Sequence, residues 1–180
     1  FGTVHPESVE GFFTAAEQRD LRMICGKVLM DRNGPIGLLD TPETSYSDSK
    51  NLIERWHGRG RLRYAVSPRF APTSTPDQLA TACQLLREYP GTHLQTHLSE
   101  DKEEINWVKS LFPSCKNYLD VYQRAGLLGK RSTFAHCLHL TDADWEILQD
   151  EGCSVAFCPS SNLFLGSGLF DLPRLQFADV

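Results

Sequence analysis

Thr92-His93-Leu94-Gln95-Thr96-His97-Leu98-Ser99-Glu100 reads as a strand that runs into a chemical site. Alternation puts Leu94, Thr96 and Leu98 on one face and His93, Gln95 and His97 on the other. His97 lies near the end of the strand and Glu100 just past it. A neutral imidazole can ligate a divalent metal, and a carboxylate slightly beyond the strand can stand near the water such a metal activates, as a hydrolytic base does. By itself, His-x-x-Glu also fits a polar strand residue satisfied by its neighbours. The rest of the chain decides between the two.

Upstream, Thr75-Pro76-Asp77 reads as a helix start with proline at the first helical position, and Leu79, Ala82, Cys83 and Leu86 make the buried stripe. Before it come a strand over 62–70, a helix over 45–57 carrying Leu52, Ile53 and Trp56, and a Gly-, Pro- and Asp-rich loop over 31–42. The apolar run 21–30, with Met23, Ile24, Cys25, Val28 and Leu29, predicts a strand buried on both faces. His5-Pro6-Glu7 opens a helix with Val9, Phe12, Phe13 and Ala16 on one face, and 1–4 reads as a strand remnant.

Downstream, a helix over 103–111 should turn Ile105, Val108, Leu111 and Phe112 inward, and a second should turn in Tyr118, Val121, Tyr122 and Ala125. A strand over 132–140, a helix capped by Thr141 with Trp145 and Leu148 inward, and a strand over 153–158 complete the series. Trp56, Trp107 and Trp145 all fall on helices and read as packing residues. Strands and helices thus alternate with connections too long for hairpins, which predicts an α/β fold with a parallel sheet built from consecutive βα units. No linker or low-complexity run divides the chain, so all 180 residues read as part of a single domain.

Composition narrows the function. The chain is 41% hydrophobic and 23% charged, with a net charge of −5 and no Lys/Arg run, so a nucleic-acid backbone has no electrostatic footprint here. Cys25, Cys83, Cys115, Cys137, Cys153 and Cys158 show no C-x-x-C pair and sit largely in apolar runs, as reduced thiols do in a cytoplasmic protein. No apolar stretch of about 18 residues predicts a membrane span, and no basic-then-apolar leader opens the chain. Its first residue is Phe1 rather than Met, so the start reads as internal.

The polar residues worth weighing recur at strand C-terminal ends. Arg69 and Phe70 close one strand, His97 and Glu100 the next, His136 the one after, and Ser160-Ser161-Asn162 follow the last. In a (β/α)8 barrel those ends form the active-site face. His136, one strand from His97, can share a metal with it, whereas four strand residues hold His93 and His97 about 13 Å apart. His139, an odd number of residues from His136, should point away from the site if the strand continues. Cys137 and Cys158 read as core thiols. Arg69 can offer a planar acceptor edge, such as a purine carbonyl and ring nitrogen, two parallel hydrogen bonds. Phe70 beside it can cover an aromatic ring or pack in the core.

Ser67-Pro-Arg-Phe, Thr96-His-Leu-Ser-Glu, Phe134-Ala-His-Cys and Phe157-Cys-Pro-Ser-Ser-Asn-Leu-Phe-Leu-Gly-Ser-Gly-Leu-Phe, in that order, resemble the amidohydrolase superfamily, most closely its guanine deaminase branch. The resemblance covers nearly the whole chain. It implies a metal-dependent TIM barrel that hydrolyses guanine to xanthine and ammonia with one zinc per site. It further implies His97 and His136 as metal ligands on the fifth and sixth strands, Glu100 as the catalytic proton shuttle and Arg69 as the residue that reads guanine, with Ser160 and Asn162 by the pocket wall. Zinc deaminases of the other type carry H-x-E with P-C-x-x-C, and neither motif occurs here.

The chain departs from the family pattern in two places. There is no His-x-His for a first strand and no room after Val180 for an eighth-strand aspartate. The fold expected is therefore an incomplete α/β TIM barrel, about strands 2–7, cut from a domain of about 250 residues or more. These 180 residues alone are expected to be inactive, to hold zinc poorly and to self-associate through open strand edges. Two other functions remain open: another aminohydrolase of the superfamily, acting on a nucleoside or a triazine, and a non-catalytic βα module that only associates with other chains.

Overall fold

The computed structural model describes residues 2–178, and Phe1 of the expected strand remnant lies outside them. The chain divides into two compact units, Phe1–Arg69 with Thr73–Gln95, and Phe70–Pro72 with Thr96–Val180. Among the described residues no helix is long and apolar enough to cross a membrane.

In the first unit, α1 (Pro6–Gln18) opens with proline in its first turn and Glu7 at the positive end of the helix dipole. It buries Val9, Phe13 and Ala16, whereas Phe12, expected on the same face, is 46% exposed. At 100° per residue the three buried positions span about 60°, and Phe12 lies about 70° from their centre. The apolar run 21–30 is not one strand buried on both faces. It forms β1 (Met23–Cys25) and β2 (Val28–Leu29), and Ile24 is exposed. Both pair in parallel with β3 (Leu62–Pro68), in the same register, Met23 opposite Leu62 and Val28 opposite Ser67. The interruption falls at Gly26, where a Cβ would stand 1.8 Å from the Ala65 carbonyl oxygen, an approach that only glycine permits.

Lys27 follows, fully buried, with its Nζ 2.6 Å from Asp40 Oδ2 and 3.3 Å from the Val28 carbonyl. Asp40 also accepts from the Met30 N–H at 3.0 Å, from Gln78 Nε2 at 3.0 Å and from the Ser45 hydroxyl. This cluster organises the loop that precedes α2 (Pro42–Trp56). That helix starts earlier than expected because Thr41 and Thr44 form a capping box. The Thr75 hydroxyl caps α3 (Pro76–Glu88), which buries Leu79, Ala82 and Cys83 as its spacing predicts, and Leu85 rather than Leu86. In β4 (His93–Leu98) the alternation read from sequence is present: Leu94, Thr96 and Leu98 are buried, and His93, Gln95 and His97 half-buried. Its first residues pair with β3, Ala65 opposite His93.

At Thr96 the strand enters the second unit, where the order is β4-β5-β6 and β5 (Ser132–His136) runs parallel to β6 (Ser154–Ala156). The helices are α4 (Lys102–Leu111), α5 (Tyr118–Arg124), α6 (Asp142–Asp150), α7 (Pro159–Leu165) and α8 (Leu172–Ala178). Trp145 and Leu148 of α6 are buried behind a Thr141–Asp144 capping box. On and after α4, Val108 and Phe112 are buried, while Ile105 and Leu111 reach only half-burial. The strand expected over 132–140 ends at His136, because His136 and Cys137 take φ of 74° and 53° and leave the extended region. The backbone N–H groups of Cys137 and Leu138 then donate to the carbonyls of Leu98 and Ser99 at 2.9 and 3.1 Å. The end of β4 and the turn after β5 are thereby tied together. The last strand is three residues rather than six, since Pro159 begins α7. All six cysteines are free thiols.

Candidate active site

His97, on the last turn-out of β4, and His136, at the end of β5, stack with ring centroids 5.3 Å apart and planes inclined by 17°. Parallel strands cause this, since residues at equivalent ends of neighbours project side by side. Phe70 meets His97 edge-on at 6.0 Å. Just past β4, where Ser99 takes a φ of 51°, Glu100 brings Oε2 to 3.3 Å from His136 Nε2. On the other side of the ring, His136 Nδ1 lies 2.8 Å from Asn162 Oδ1. His136 is only 4% exposed and Asn162 2%.

Two imidazoles and a carboxylate are donors that a divalent metal accepts. A carbonyl oxygen can only accept, so the Asn162 contact places a proton on His136 Nδ1. Nε2, on the opposite edge, faces the Glu100 carboxylate, where it can donate to that oxygen or turn its lone pair to a cation. The donor set fits a cation in part. Among the described residues no group of three or more His, Cys, Asp or Glu side chains is arranged to hold a metal by itself.

A cavity of about 610 Å³ opens beside Glu100, lined by Phe70, Glu100, Asp101, Glu103, Glu104, Trp107, Leu165 and Ser167. Asp101 accepts from the N–H groups of Glu103 and Glu104 and so serves as the cap of α4. Burial pushes the Glu104 carboxyl above the usual carboxylate range, and the charge of Glu100 adds to it. Trp56 and Trp145 are packing residues as read, but Trp107 is not: it is 41% exposed, lines the cavity and meets Phe70 edge-on at 6.4 Å.

The structure brings Phe70, His97, Glu100, His136 and Asn162 together in the second unit. Arg69 belongs to the first, exposed at the end of β3, with its backbone N–H donating to the Leu29 carbonyl at 3.1 Å. Ser160 is exposed, and the hydroxyl that approaches Glu100, at 3.5 Å, is that of Ser161. One residue turns a helix by about 100°, which separates the two serines. His139 is outside any strand, with Nε2 3.1 Å from the Ser167 carbonyl. Cys137 is buried, and burial raises its thiol far above the range in which it ionises.

Tyr122 was missed from sequence. Its hydroxyl donates to the His97 carbonyl at 2.9 Å, accepts from the Ala71 N–H at 3.0 Å and touches Thr96 Oγ1 at 3.1 Å. It thus ties the end of β4 to the residue after Phe70. Helical spacing marked Tyr122 as buried but carried no signal of these distant partners.

A model of the amidohydrolase family matches residues 1–176. The chain belongs to the amidohydrolase family. Among curated relatives, this amidohydrolase is 59% identical over 174 residues to the guanine deaminase of Escherichia coli (strain K12), an alignment covering 97% of this chain and 40% of that protein. It is 30% identical over 175 residues to the guanine deaminase of Homo sapiens, covering 96% and 38%. Among solved structures it matches E. coli guanine deaminase with a TM-score of 0.98 at 58% identity, over 100% of this chain and 42% of that one. It matches the C. acetobutylicum guanine deaminase, solved with guanine bound in its active site, with a TM-score of 0.94 at 28% identity, over 99% and 43%. The chain spans about two fifths of the length of these relatives. Its fold is accordingly α/β, an incomplete TIM barrel, as the sequence pattern and resemblance led one to expect.

Proposed function

We propose that this chain carries part of the active site of a guanine deaminase, which hydrolyses guanine to xanthine and ammonia, and that all 180 residues belong to a single metal-dependent TIM-barrel domain. The observation that carries the reading is the cluster of His97, Glu100 and His136 beside an aromatic-walled cavity, in a chain 59% identical to an E. coli guanine deaminase.

In this reading His97 and His136 hold one zinc ion together with ligands that other strands of the barrel supply. Zinc, when bound, polarises water so that it can act as a nucleophile near neutral pH. Glu100, within 3.3 Å of His136 and open to the cavity, takes a proton from the attacking water. It then delivers that proton to the purine ring nitrogen and passes the hydroxyl proton of the resulting adduct to the amino group, which leaves as ammonia while the new carbonyl forms. Phe70 covers the base, and Arg69 pairs with its carbonyl and ring-nitrogen edge. Ser160 and Asn162 stand by the pocket wall. The partner is a small molecule, neither nucleic acid nor membrane; the enzyme is a cytoplasmic one of purine metabolism, and it self-associates.

The test is deamination by the full-length protein, with zinc content and intact mass measured on the same sample. Ammonia and xanthine should appear from guanine, with about one zinc per chain and little release from adenine or a triazine. A folded, zinc-loaded protein that leaves guanine untouched would overturn the reading.

A further inference from the structure

We infer that Asn162 is a positioning residue, whose side-chain oxygen accepts from His136 Nδ1–H and so sets the imidazole with its Nε2 edge towards Glu100. The chemistry this serves rests on the guanine-deaminase reading, but the hydrogen bond and the tautomer do not.

Three observations carry it. First, His136 closes β5 at a φ of 74°, so the strands bring its ring beside His97 but do not choose which edge of the ring meets which neighbour. The ring is oriented by what its two nitrogens meet: Asn162 Oδ1 at 2.8 Å on one edge and Glu100 Oε2 at 3.3 Å on the other. Second, Asn162 is itself rigidly held. Its N–H donates to the Cys158 carbonyl at 3.0 Å, and its carbonyl accepts from the Ser167 N–H at 2.9 Å, just past Gly166, which closes α7 in the left-handed region. Third, Asn162 Nδ2 is buried without a hydrogen-bond partner among the described residues. A leucine would avoid that unmet donor, and an amide that serves only packing has no reason to carry it. The oxygen, which does find a partner, accounts for the amide. Ligating histidines generally need such an acceptor on the second nitrogen to fix tautomer and ring orientation.

The test compares Asn162→Leu, which deletes the acceptor, with Asn162→Asp, which keeps an oxygen at the same reach. Both are made in the full-length protein and checked for folding by circular dichroism. Zinc affinity is read by competition with a chromophoric chelator, and the His136 tautomer by nitrogen-15 NMR of the metal-free protein. Asn162→Leu should weaken zinc binding by about 10- to 100-fold and move the His136 proton towards Nε2. Asn162→Asp should stay close to the parent in both measurements. If Asn162→Leu does not fold, Asn162→Ala makes the same comparison. Leu or Ala variants that fold, bind zinc as tightly as the parent and keep Nδ1 protonated would overturn the inference. So would an Asp variant that loses as much as the Leu one. A parent protein that neither binds zinc nor deaminates guanine, yet shows the Nδ1 tautomer only when an acceptor stands at 162, would sink the functional reading and leave the role of Asn162 standing.

Discussion

Two buried polar clusters, one in each unit, are finished to different degrees. In the first, Lys27 is fully buried against Asp40, and that carboxylate accepts from Lys27, Ser45, Gln78 and the Met30 backbone. The Lys27 charge and the Asp40 oxygens are answered from within the protein, and water has no access to Lys27. In the second, His136 is also buried, but its partner Glu100 lines a cavity, and among the described residues no group of three or more His, Cys, Asp or Glu side chains is arranged to hold a metal there. The ion pair and the four donors gathered on Asp40 mark the first cluster as a brace for the loop between β2 and α2. The second opens on the cavity beside Glu100.

Substitutions at the two clusters should therefore fail in different ways. The largest effect expected is on turnover: Glu100→Gln in the full-length protein should lower guanine deamination by about 10²- to 10⁴-fold, with zinc content and melting temperature nearly unchanged. A comparable fall in stability instead would make the second cluster a brace like the first. Lys27→Met should do the opposite. Leaving Asp40 buried and unpaired should cost about 3–5 kcal/mol, a drop in Tm on the order of 10 °C, while guanine KM of the folded fraction stays put. Thermal unfolding followed alongside steady-state kinetics would tell these apart.

Gly26→Ala sharpens the same contrast at smaller cost. The added Cβ would meet the Ala65 carbonyl at 1.8 Å, so β3 must shift away from the β1–β2 run, at about 1–3 kcal/mol. The urea midpoint should fall with its slope unchanged. The smallest difference concerns Glu104. Burial raises its folded-state pKa above the ordinary carboxylate value, so the folded state holds its proton more tightly than the unfolded state does. Its penalty is absent in acid, below the unfolded value, and grows as pH rises through the folded value. Stability curves of Glu104→Gln and the parent should coincide in acid and separate towards neutral pH with the variant on top; the reverse order would mean that a partner favours the charged carboxylate.

Local chemistry made much of this legible in advance. Alternation in 92–100 marked β4 and its faces, threonines at 75 and 141 marked helix starts, and His97, Glu100 and His136 were visible because few residue types can ligate a cation or carry a proton. The break at Gly26 was not visible, because its cause is a carbonyl 39 residues away. The burial of Lys27 depends on Asp40, and the exposure of Trp107 on which neighbours α4 leaves uncovered.

By itself, then, the sequence determined the alternation of strands and helices up to the last strand, that the strands run parallel, and which side chains are of types that can bind a cation or carry a proton. Those properties follow from periodicity, capping and residue type, all read within a few neighbours. Tertiary structure alone decided that Asn162 answers His136, that Ser161 rather than Ser160 approaches Glu100, and that the Tyr122 hydroxyl holds the His97 carbonyl. A hydrogen bond needs its partner within about 3 Å, and for residues tens of positions apart only the folded chain sets that distance.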